Sequence, residues 1–427
     1  MERRVEYLNK KETYAQFEGQ WQENAQLALD TINMRPAPRL AVGGFGINDM
    51  QWSHLDELSG NPPGSYEKDP VRVYRDFQLA CGVCYIDQWI PENPLSMRDQ
   101  GCGESAARGA TTGAEEIVRD GIRIDSPEAV VEHMERFEFP RWEKSGRGLE
   151  ANLDEEVRKR ITGEVEVQKL FGTNMLKGPY GGFFSFPSFM YGHYGYTNYF
   201  MAYALYPDVI ERGFKLQADA CEVHNRIAAR AIIEGGLPRL VRLDHDMADS
   251  RGTLVDVRTL DKLWFPHFAR AIKPLLDAGI RLIWHCDGNL MDMVPRLLEC
   301  GLGGFQGFQY EDGMDYEAIC KMKTRDCDDL FIIGGVSVTR TLPHGKPADV
   351  KREIDWLVEK GPKVGLMLGC SSSIAPGVPI ENIKTLIEGL RYYRANGRGK
   401  FCSGEQHAAR LQTRLGTGDS GGPVVQS

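Results

Sequence analysis

Hydrophobic and polar positions follow two alternating patterns along the second half of the chain, from about residue 238 onward. Short apolar runs, which are typical of buried strands, occur at residues 239–243, 281–284, 303–308, 330–333 and 364–368. Longer segments with apolar residues at helical spacing lie between or after them, at residues 255–278, 290–300, 316–323, 347–359 and 379–394. Strands that alternate with helices predict an α/β fold with a parallel sheet, and their number and even spacing favour a closed barrel over an open sheet.

The N-terminal half has a less regular pattern than the C-terminal half. Residues 40–45 and 84–90 are predicted strands, and residues 198–234 are predicted to be one long helical stretch. No linker or internal repeat divides the chain. We therefore expect one barrel domain over residues 1–396, with an N-terminal helical extension and an elaborated N-terminal half. A peripheral or disordered tail is expected over residues 397–427.

Composition and charge narrow the class of protein. The 427 residues are 42% hydrophobic and 26% charged, which is typical of a soluble globular protein. The formal net charge of -9 argues against a nucleic-acid partner. No apolar stretch reaches the roughly 20 residues needed to cross a bilayer, and the first residues lack the apolar core of a signal peptide. We therefore expect a cytoplasmic protein without a membrane partner.

The ten cysteines lack the dense spacing of a disulfide-rich secreted domain, so reduced thiols are expected. Cys81 and Cys84 form a CxxC pair inside an apolar run, with no second CxxC to complete a zinc knuckle. Buried structural thiols are therefore expected at these two positions rather than a zinc or redox site.

Candidate chemistry is concentrated where the predicted strands end, which is where barrel enzymes place their active sites. His285 and Asp287 follow one strand, Cys370 ends another, and Asp246 follows an earlier one. Imidazole, carboxylate and thiolate together suit zinc, with Asp287 favoured over Cys286 because residues two apart in an extended segment point the same way. Asp246 would add a ligand or support the histidine. The alternative is a metal-free acid/base pair of His285 and Asp287, with Cys370 as a small buried residue.

Candidate substrate contacts come mainly from residues 181–200, a segment too rich in glycine and aromatic residues for a regular element. Such a loop offers flat apolar walls with hydroxyl tips to a planar ligand, and a core-lining loop is the alternative. Charged and polar residues beside the strand ends complete the set. The predicted substrate-binding residues are Phe183, Phe186, His193, Tyr196, Arg251 and Asn289.

One motif near the C-terminus matches a known nucleophile sequence without the surroundings that it needs. Residues 418–423 read Gly-Asp-Ser-Gly-Gly-Pro, as around the serine of trypsin-like proteases. That chemistry requires a histidine base, an aspartate and an all-β scaffold. The predicted α/β fold and the lack of a matching histidine motif upstream argue against protease activity.

Five short stretches occur in an order that resembles the uroporphyrinogen decarboxylase superfamily, whose members are (β/α)8 barrels. They are Asp246-Met-Ala, the turn His285-Cys-Asp-Gly-Asn289, Gly313-Met-Asp315, Gly334-Gly-Val-Ser337, and Cys370 with Ala375-Pro-Gly-Val-Pro-Ile-Glu-Asn382. Weaker similarity at residues 126–130 and 206–210 extends the resemblance over most of the chain.

Two branches of this superfamily differ at positions visible in the sequence. The true decarboxylases are cofactor-free and carry an arginine-rich N-terminal loop that holds the substrate carboxylates, whereas residues 43–49 here read Gly-Gly-Phe-Gly-Ile-Asn-Asp. The other branch contains methyltransferases that work with corrinoid proteins and bind zinc through a His-x-Cys pair and a later cysteine. His285 and Cys370 match two of those ligands, and Asp287 replaces the third.

The resemblance implies a methyltransferase closer to the corrinoid-dependent branch than to the true decarboxylases. It would move a methyl group between a small methylated compound and a corrinoid on a partner protein, with zinc held by His285, Asp287 and Cys370. Asp246, His285 and Asp287 would be catalytic, and an aryl methyl ether is the expected donor because a carboxylate ligand suits an oxygen-bearing substrate.

Two other functions stay open at this point, as does the assembly state. A cofactor-free decarboxylase or lyase would use Asp246 and His285 as its acid/base pair. A non-catalytic tetrapyrrole or corrinoid carrier is less favoured, since no Asp-x-His-x-x-Gly module is evident. A homodimer is compatible with the sequence.

Overall fold

The computed structural model describes residues 9–46, 50–92 and 116–401. The motif at residues 418–423, the first residues of the chain, Cys102, and the predicted tail from residue 402 onward lie outside the described residues. Eight short strands occur in the order expected for a barrel: β1 (Ala41–Val42), β2 (Tyr85–Ile86), β3 (Leu176–Lys177), β4 (Leu240–Asp244), β5 (Arg281–Cys286), β6 (Gly304–Gly307), β7 (Phe331–Val336) and β8 (Leu366–Cys370).

Parallel backbone pairing joins these strands into a nearly complete ring. One sheet has the order β1-β8-β7-β6-β5-β4, and β2 pairs with β3 in a second sheet. A parallel bridge between Gly43 and Tyr85 links β1 to β2, so pairing runs without a break from β4 round to β3. Among the described residues no backbone pairing closes the gap between β3 and β4, which we call the seam. This arrangement is the predicted TIM-barrel fold with one open seam.

The described helices surround the ring and form the N-terminal elaboration. They are α1 (Glu23–Ile32), α2 (Trp52–Ser59), α3 (Ser65–Lys68), α4 (Pro70–Cys81), α5 (Pro127–His133), α6 (Phe139–Ala151), α7 (Leu153–Phe171), α8 (Tyr191–Tyr194), α9 (Tyr196–Leu205), α10 (Pro207–Gly235), α11 (Val257–Leu263), α12 (Phe265–Asp277), α13 (Val294–Glu299), α14 (Tyr316–Ile319), α15 (Thr341–His344), α16 (Pro347–Lys360) and α17 (Ile380–Asn396). No helix in the described ranges combines the length and the apolar character that a membrane span requires.

The predicted elements of the C-terminal half are confirmed to within a few residues, and the main differences have local causes. The helix predicted over 198–234 is two helices, because Pro207 begins α10 and the preceding Tyr206 leaves the helical region. The helix predicted over 255–278 is likewise divided at Trp264, before Pro266 in the first turn of α12. The segment predicted to be irregular contains the helices α8 and α9, and only residues 184–190 lack regular structure.

A continuous hydrophobic core fills the space between the ring and its helices. Trp264 and Trp284 are almost fully buried, and the Trp264 indole stacks on Phe268 with ring centroids 4.4 Å apart. Cys81 and Cys84 are buried free thiols, which confirms the prediction of a structural pair. The core fixes the positions of the strand ends, where the polar side chains described next are found.

Candidate active site

The interior of the ring contains a cavity of about 210 Å³ near the C-terminal ends of the strands. The strand register places Gln306 on β6 beside His285 on β5 and Ile333 on β7. All three residues line the cavity, which therefore lies at their height in the barrel. Side chains at paired positions lie on the same face of a sheet. The polar residues that line the cavity are Tyr85, Asp87, Gln88, Arg242, Asp244, Asp246, His285, Asp287, Gln306, Ser372 and Ser373.

His285 is buried in the wall of this cavity with an exposed fraction of 6%. Its Nε2 lies 3.9 Å from Oδ1 of Asp287, and its Nδ1 is buried without a hydrogen-bond partner among the described residues. Gln306 Oε1 and the Tyr85 hydroxyl in the same lining also lack partners within the described chain. Buried polar atoms are rarely left unsatisfied, so these three unpaired atoms are unusual features of the wall around the cavity.

Asp246 and Asp287 form an asymmetric pair of carboxyl groups beside His285. The carboxylate of Asp287 accepts hydrogen bonds from Gln309 Nε2 at 3.3 Å and from Ser372 Oγ at 3.2 Å. Asp246 Oδ1 accepts one from the backbone N–H of Asp287 at 3.0 Å. Burial and then the neighbouring Asp287 charge raise the pKa of Asp246. Burial and the Asp287 charge therefore favour the protonated form of Asp246.

A tight turn holds Asp287 in this position. Gly288 has φ of 87°, and a side chain there would meet the Asp249 backbone at 2.7 Å, so the turn requires glycine. The Gly288 N–H donates to Gln309 Oε1 at 2.7 Å, and the same side chain binds Asp287 through its Nε2. Gln309 therefore orients the Asp287 carboxylate, which is a role that the sequence patterns did not indicate.

Arg242 lies at the centre of a second polar group on the seam side of the cavity. Its Nε donates to Asp87 Oδ2 and its Nη1 to Asp244 Oδ2, both at 2.8 Å, and its side chain is only 8% exposed. Tyr180 donates to the same Asp244 oxygen at 2.8 Å. Burial opposes ionisation of Asp244, but His285 and Arg242 outweigh it and lower the pKa of this carboxyl. Asp244 is therefore an ion-paired carboxylate, unlike Asp246.

Cys370 borders the cavity, but the strand register turns its thiol to the other face of the sheet from His285, which argues against the predicted metal site. Met367 on β8 is level with Ile333, so Cys370, three residues further on, falls on the opposite face of the pleat. Burial raises the pKa of the Cys81 thiol on α4, and the Cys370 thiol adds to that rise, so these thiols are neighbours behind the strand. The Cys370 carbonyl, rather than the thiol, accepts from Gln306 Nε2 at 3.4 Å.

The predicted ligands therefore do not fit one zinc ion in this arrangement. Zinc holds its ligands at about 2.0 to 2.3 Å. Within the described chain, only Asp120, His133 and Glu138 offer three ligand atoms within 4.8 Å of one another, so His285, Asp287 and Cys370 do not. In that other cluster Arg141 contacts both carboxylates, and Asp120 and the Tyr194 hydroxyl occupy the two histidine nitrogens. It is an ion-pair network that joins the 118–123 hairpin to α5 and α6.

The predicted substrate-binding residues are mostly outside the cavity. Arg251 is 88% exposed and pairs with Asp249, while the Asn289 side chain caps the Met291 N–H. Phe183 is buried against Arg160. His193 and Tyr196 lie on α8 and α9 and do not line the cavity. Phe186 borders a second cavity, which adjoins the first at Arg242 and Asp244.

Besides Gln309, sequence reasoning missed Asp87, Arg242 and Gln306. Arg242 was visible as a charged residue inside an otherwise apolar strand, which calls for a buried partner. Asp87 was visible as an acidic residue in a predicted strand, but its pairing with Arg242 spans 155 positions and needs the fold. Gln306 carries no distinctive spacing, and only the strand register places it beside His285.

Comparisons with known proteins agree with this architecture. The family model described as uroporphyrinogen decarboxylase (URO-D) matches residues 165–393. A solved structure described as a methyltransferase from Methanosarcina mazei is similar with a TM-score of 0.50 and 16% sequence identity, over 87% of this chain and 98% of that one. At that identity the likeness concerns the fold alone. No match was found among curated proteins. Since the family model covers more than half of its residues, the chain belongs to the uroporphyrinogen decarboxylase family.

Proposed function

We propose that this protein is a methyltransferase that removes a methyl group from a small oxygen-bearing donor, such as an aryl methyl ether. The acceptor in this proposal is a corrinoid carried by a partner protein. The observation that carries it is Asp246 in the barrel cavity, a largely buried carboxyl group whose raised pKa favours its protonated form beside Asp287. The likeness of the fold to a methyltransferase from Methanosarcina mazei supports it.

An ether oxygen is a poor leaving group unless it gains a proton as its bond to carbon breaks. In the proposed reaction the bond between the methyl carbon and oxygen breaks, and its electron pair stays on oxygen. Asp246 donates its proton to that oxygen, and Asp287, held by Gln309 and Ser372, keeps the proton on Asp246 beforehand. A positioned general acid of this kind typically accelerates a reaction about 10²- to 10⁴-fold.

The other groups in the cavity bind and orient the donor. The polar side chains of the lining, among them Gln88, Ser372 and Ser373, surround the space that the donor would occupy. The corrinoid would act as the nucleophile: it would accept the methyl group and would itself provide the electron pair of the new bond. Since His285, Asp287 and Cys370 do not gather round one point, the proposed mechanism has no zinc-dependent step.

Size and charge favour a small, weakly charged donor over a multiply anionic one. The cavity of about 210 Å³ is below the roughly 300 to 1,000 Å³ of pockets for drug-sized ligands. Arg242 is the only lysine or arginine among the described lining residues, and Asp87 and Asp244 already neutralise it. Anionic substrate groups would therefore lie beside carboxylates without a free cation, which is a poor arrangement for the decarboxylase alternative.

A panel of donors tests the proposal. The purified protein is incubated with cob(I)alamin and either methoxylated aromatics, methylamines or methylated thiols, and consumption of cob(I)alamin is followed by absorbance. Turnover with the methoxylated aromatics is expected. Turnover confined to thiols or amines would contradict the oxygen preference, and no turnover with any donor would favour the decarboxylase or lyase alternative, with Asp246 and His285 as the acid/base pair.

A further inference from the structure

A second cavity lies at the seam between β3 and β4. It has a volume of about 400 Å³ and shares Arg242 and Asp244 with the barrel cavity. The residues that characterise it are Tyr180, Phe184, Phe186, Ser188 and His245. We call it the seam cavity. Because the described strands leave no backbone ladder here, side chains rather than hydrogen-bonded backbone form its walls.

His245 lines the seam cavity and carries a hydrogen-bond donor that the described chain does not use. Its Nε2 accepts from the backbone N–H of Phe189 at 2.9 Å, so that nitrogen cannot carry a proton. Burial lowers the pKa of His245 to about 4, so the ring is neutral near pH 7 and its single proton is on Nδ1. Nδ1 has no partner in the described part of the chain and is not sealed from solvent. It is an unused donor.

Aromatic contacts hold both the histidine and the cavity wall in place. Tyr191 stacks on His245 with ring centroids 5.7 Å apart and an interplanar angle of 13°. The Phe186 ring packs edge-on to His245 with ring centroids 6.4 Å apart, and its centroid lies 5.4 Å from that of the buried Trp284. Rings fixed in this way form a rigid flat wall, which favours a planar apolar ligand.

The charged groups that reach the seam cavity are already paired with each other. Asp244 accepts from Arg242 and from Tyr180, and the Arg242 guanidinium lies 4.6 Å from the centroid of the Tyr180 ring. Since Arg242 and Asp244 neutralise each other, neither group offers an unpaired charge to a charged ligand. A ligand that fits these walls is therefore uncharged, contains a flat ring and offers an acceptor atom to Nδ1 of His245.

We propose that the seam cavity binds the aromatic ring of the methyl donor, with an oxygen substituent accepting from the Nδ1–H of His245. A second substituent directed past Asp244 would approach the barrel cavity, because that side chain borders both spaces. Identifying the ligand as the donor rests on the proposed function. The expected preference for an uncharged ring with an acceptor oxygen follows from the residues of the seam cavity and does not depend on the proposed function.

Calorimetric titration of the full chain without any methyl acceptor tests this site. The probes are 1,2-dimethoxybenzene and its saturated counterpart 1,2-dimethoxycyclohexane. The aromatic probe is expected to bind more tightly, and Phe186→Leu is expected to weaken its binding by about three- to tenfold, as loss of a ring contact does. Tyr196→Leu is the matched control, since Tyr196 stacks on Tyr191 and lines neither cavity. The Tyr196→Leu protein should bind the aromatic probe as tightly as the unmodified protein does.

Equal affinity for the two probes, or Phe186→Leu binding as tightly as the control, would overturn the site. An independent measurement on the unmodified protein is ¹⁵N NMR of labelled histidine. The free protein should show His245 as the Nδ1–H tautomer, and 1,2-dimethoxybenzene should shift that resonance; the opposite tautomer or an unmoved resonance would contradict the proposal. Ring binding without methyl transfer would contradict the proposed function and leave the site standing.

Discussion

At the scale of single residues, two neighbouring aspartates in one cavity have opposite environments. The pKa of Asp246 is raised by burial and by Asp287, while that of Asp244 is lowered because His285 and Arg242 outweigh burial. Ionisation of Asp246 therefore opposes folding, and ionisation of Asp244 supports it. Such divided environments are typical of acid/base pairs in active sites.

Substituting each aspartate by asparagine should change stability in opposite directions. Asp246→Asn is expected to stabilise the protein at pH 7 by about 0.5 to 2 kcal/mol, since it removes a carboxyl whose charged form is penalised. This advantage should disappear as the pH falls below the unfolded-state pKa of about 3.9. Asp244→Asn should destabilise by about 1 to 3 kcal/mol at pH 7, through loss of charged hydrogen bonds, and the difference should shrink on acidification.

The measurement is urea unfolding of both variants and the unmodified protein between pH 4 and 8. A destabilising effect of Asp246→Asn that grows with pH would contradict the assignment of the proton to Asp246.

Cys370 should behave as a packing residue rather than a metal ligand. It is 4% exposed and lies on the outer face of β8, so Cys370→Ser buries a hydroxyl in place of a thiol. The expected loss is about 1 to 3 kcal/mol in the free energy of unfolding, with methyl transfer and metal content unchanged. Cys327→Ser, at an exposed position, is the control and should stay within about 0.5 kcal/mol. Loss of bound zinc in the Cys370→Ser protein would restore the predicted metal site.

At the scale of elements, the sequence predicts where strands end better than which way their last residues face. Asp246, His285 and Asp287 were identified as rim residues and all three line the cavity. Cys370 was also identified at a strand end, but its facing depends on a register that only pairing with β7 fixes. Strand β3 was not predicted, because two residues, Leu176–Lys177, are too short to show a period.

The aromatic segment shows a different limit of sequence interpretation. Two of its aromatic residues, Phe184 and Phe186, border the seam cavity, and the predicted role of the segment in substrate binding stays a prediction. The composition does not tell which rings line a cavity. His193 and Tyr196 lie on α8 and α9, Phe183 packs against Arg160, and these three residues line neither of the two cavities. Choosing among neighbouring aromatic residues requires the tertiary structure.

At the scale of the whole molecule, a buried ion-pair network lies beside the open seam. Arg242 on β4 binds Asp87 beyond β2, and Tyr180 beyond β3 binds Asp244, so side chains connect the elements that no backbone ladder joins. Arg242→Met leaves the partly buried Asp87 and the partly exposed Asp244 without a counter-charge, and because solvent screens Asp244 the expected cost is about 1 to 3 kcal/mol.

Thermal or urea denaturation measures that loss. The control is Arg251→Met, because Arg251 pairs with Asp249 at an exposed site and such pairs contribute about 0 to 1 kcal/mol. Equal effects of the two substitutions would contradict a structural role for Arg242 at the seam.

The account depends most on Asp246 as the acid that protonates the leaving oxygen. The most direct test is the rate of cob(I)alamin consumption with 1,2-dimethoxybenzene, compared between the unmodified protein and Asp246→Asn over a range of pH. The unmodified protein should lose activity as the pH rises and Asp246 loses its proton. Asp246→Asn should be slower by about 10²- to 10⁴-fold, without that pH dependence. A variant as fast as the unmodified protein would contradict the proposed mechanism.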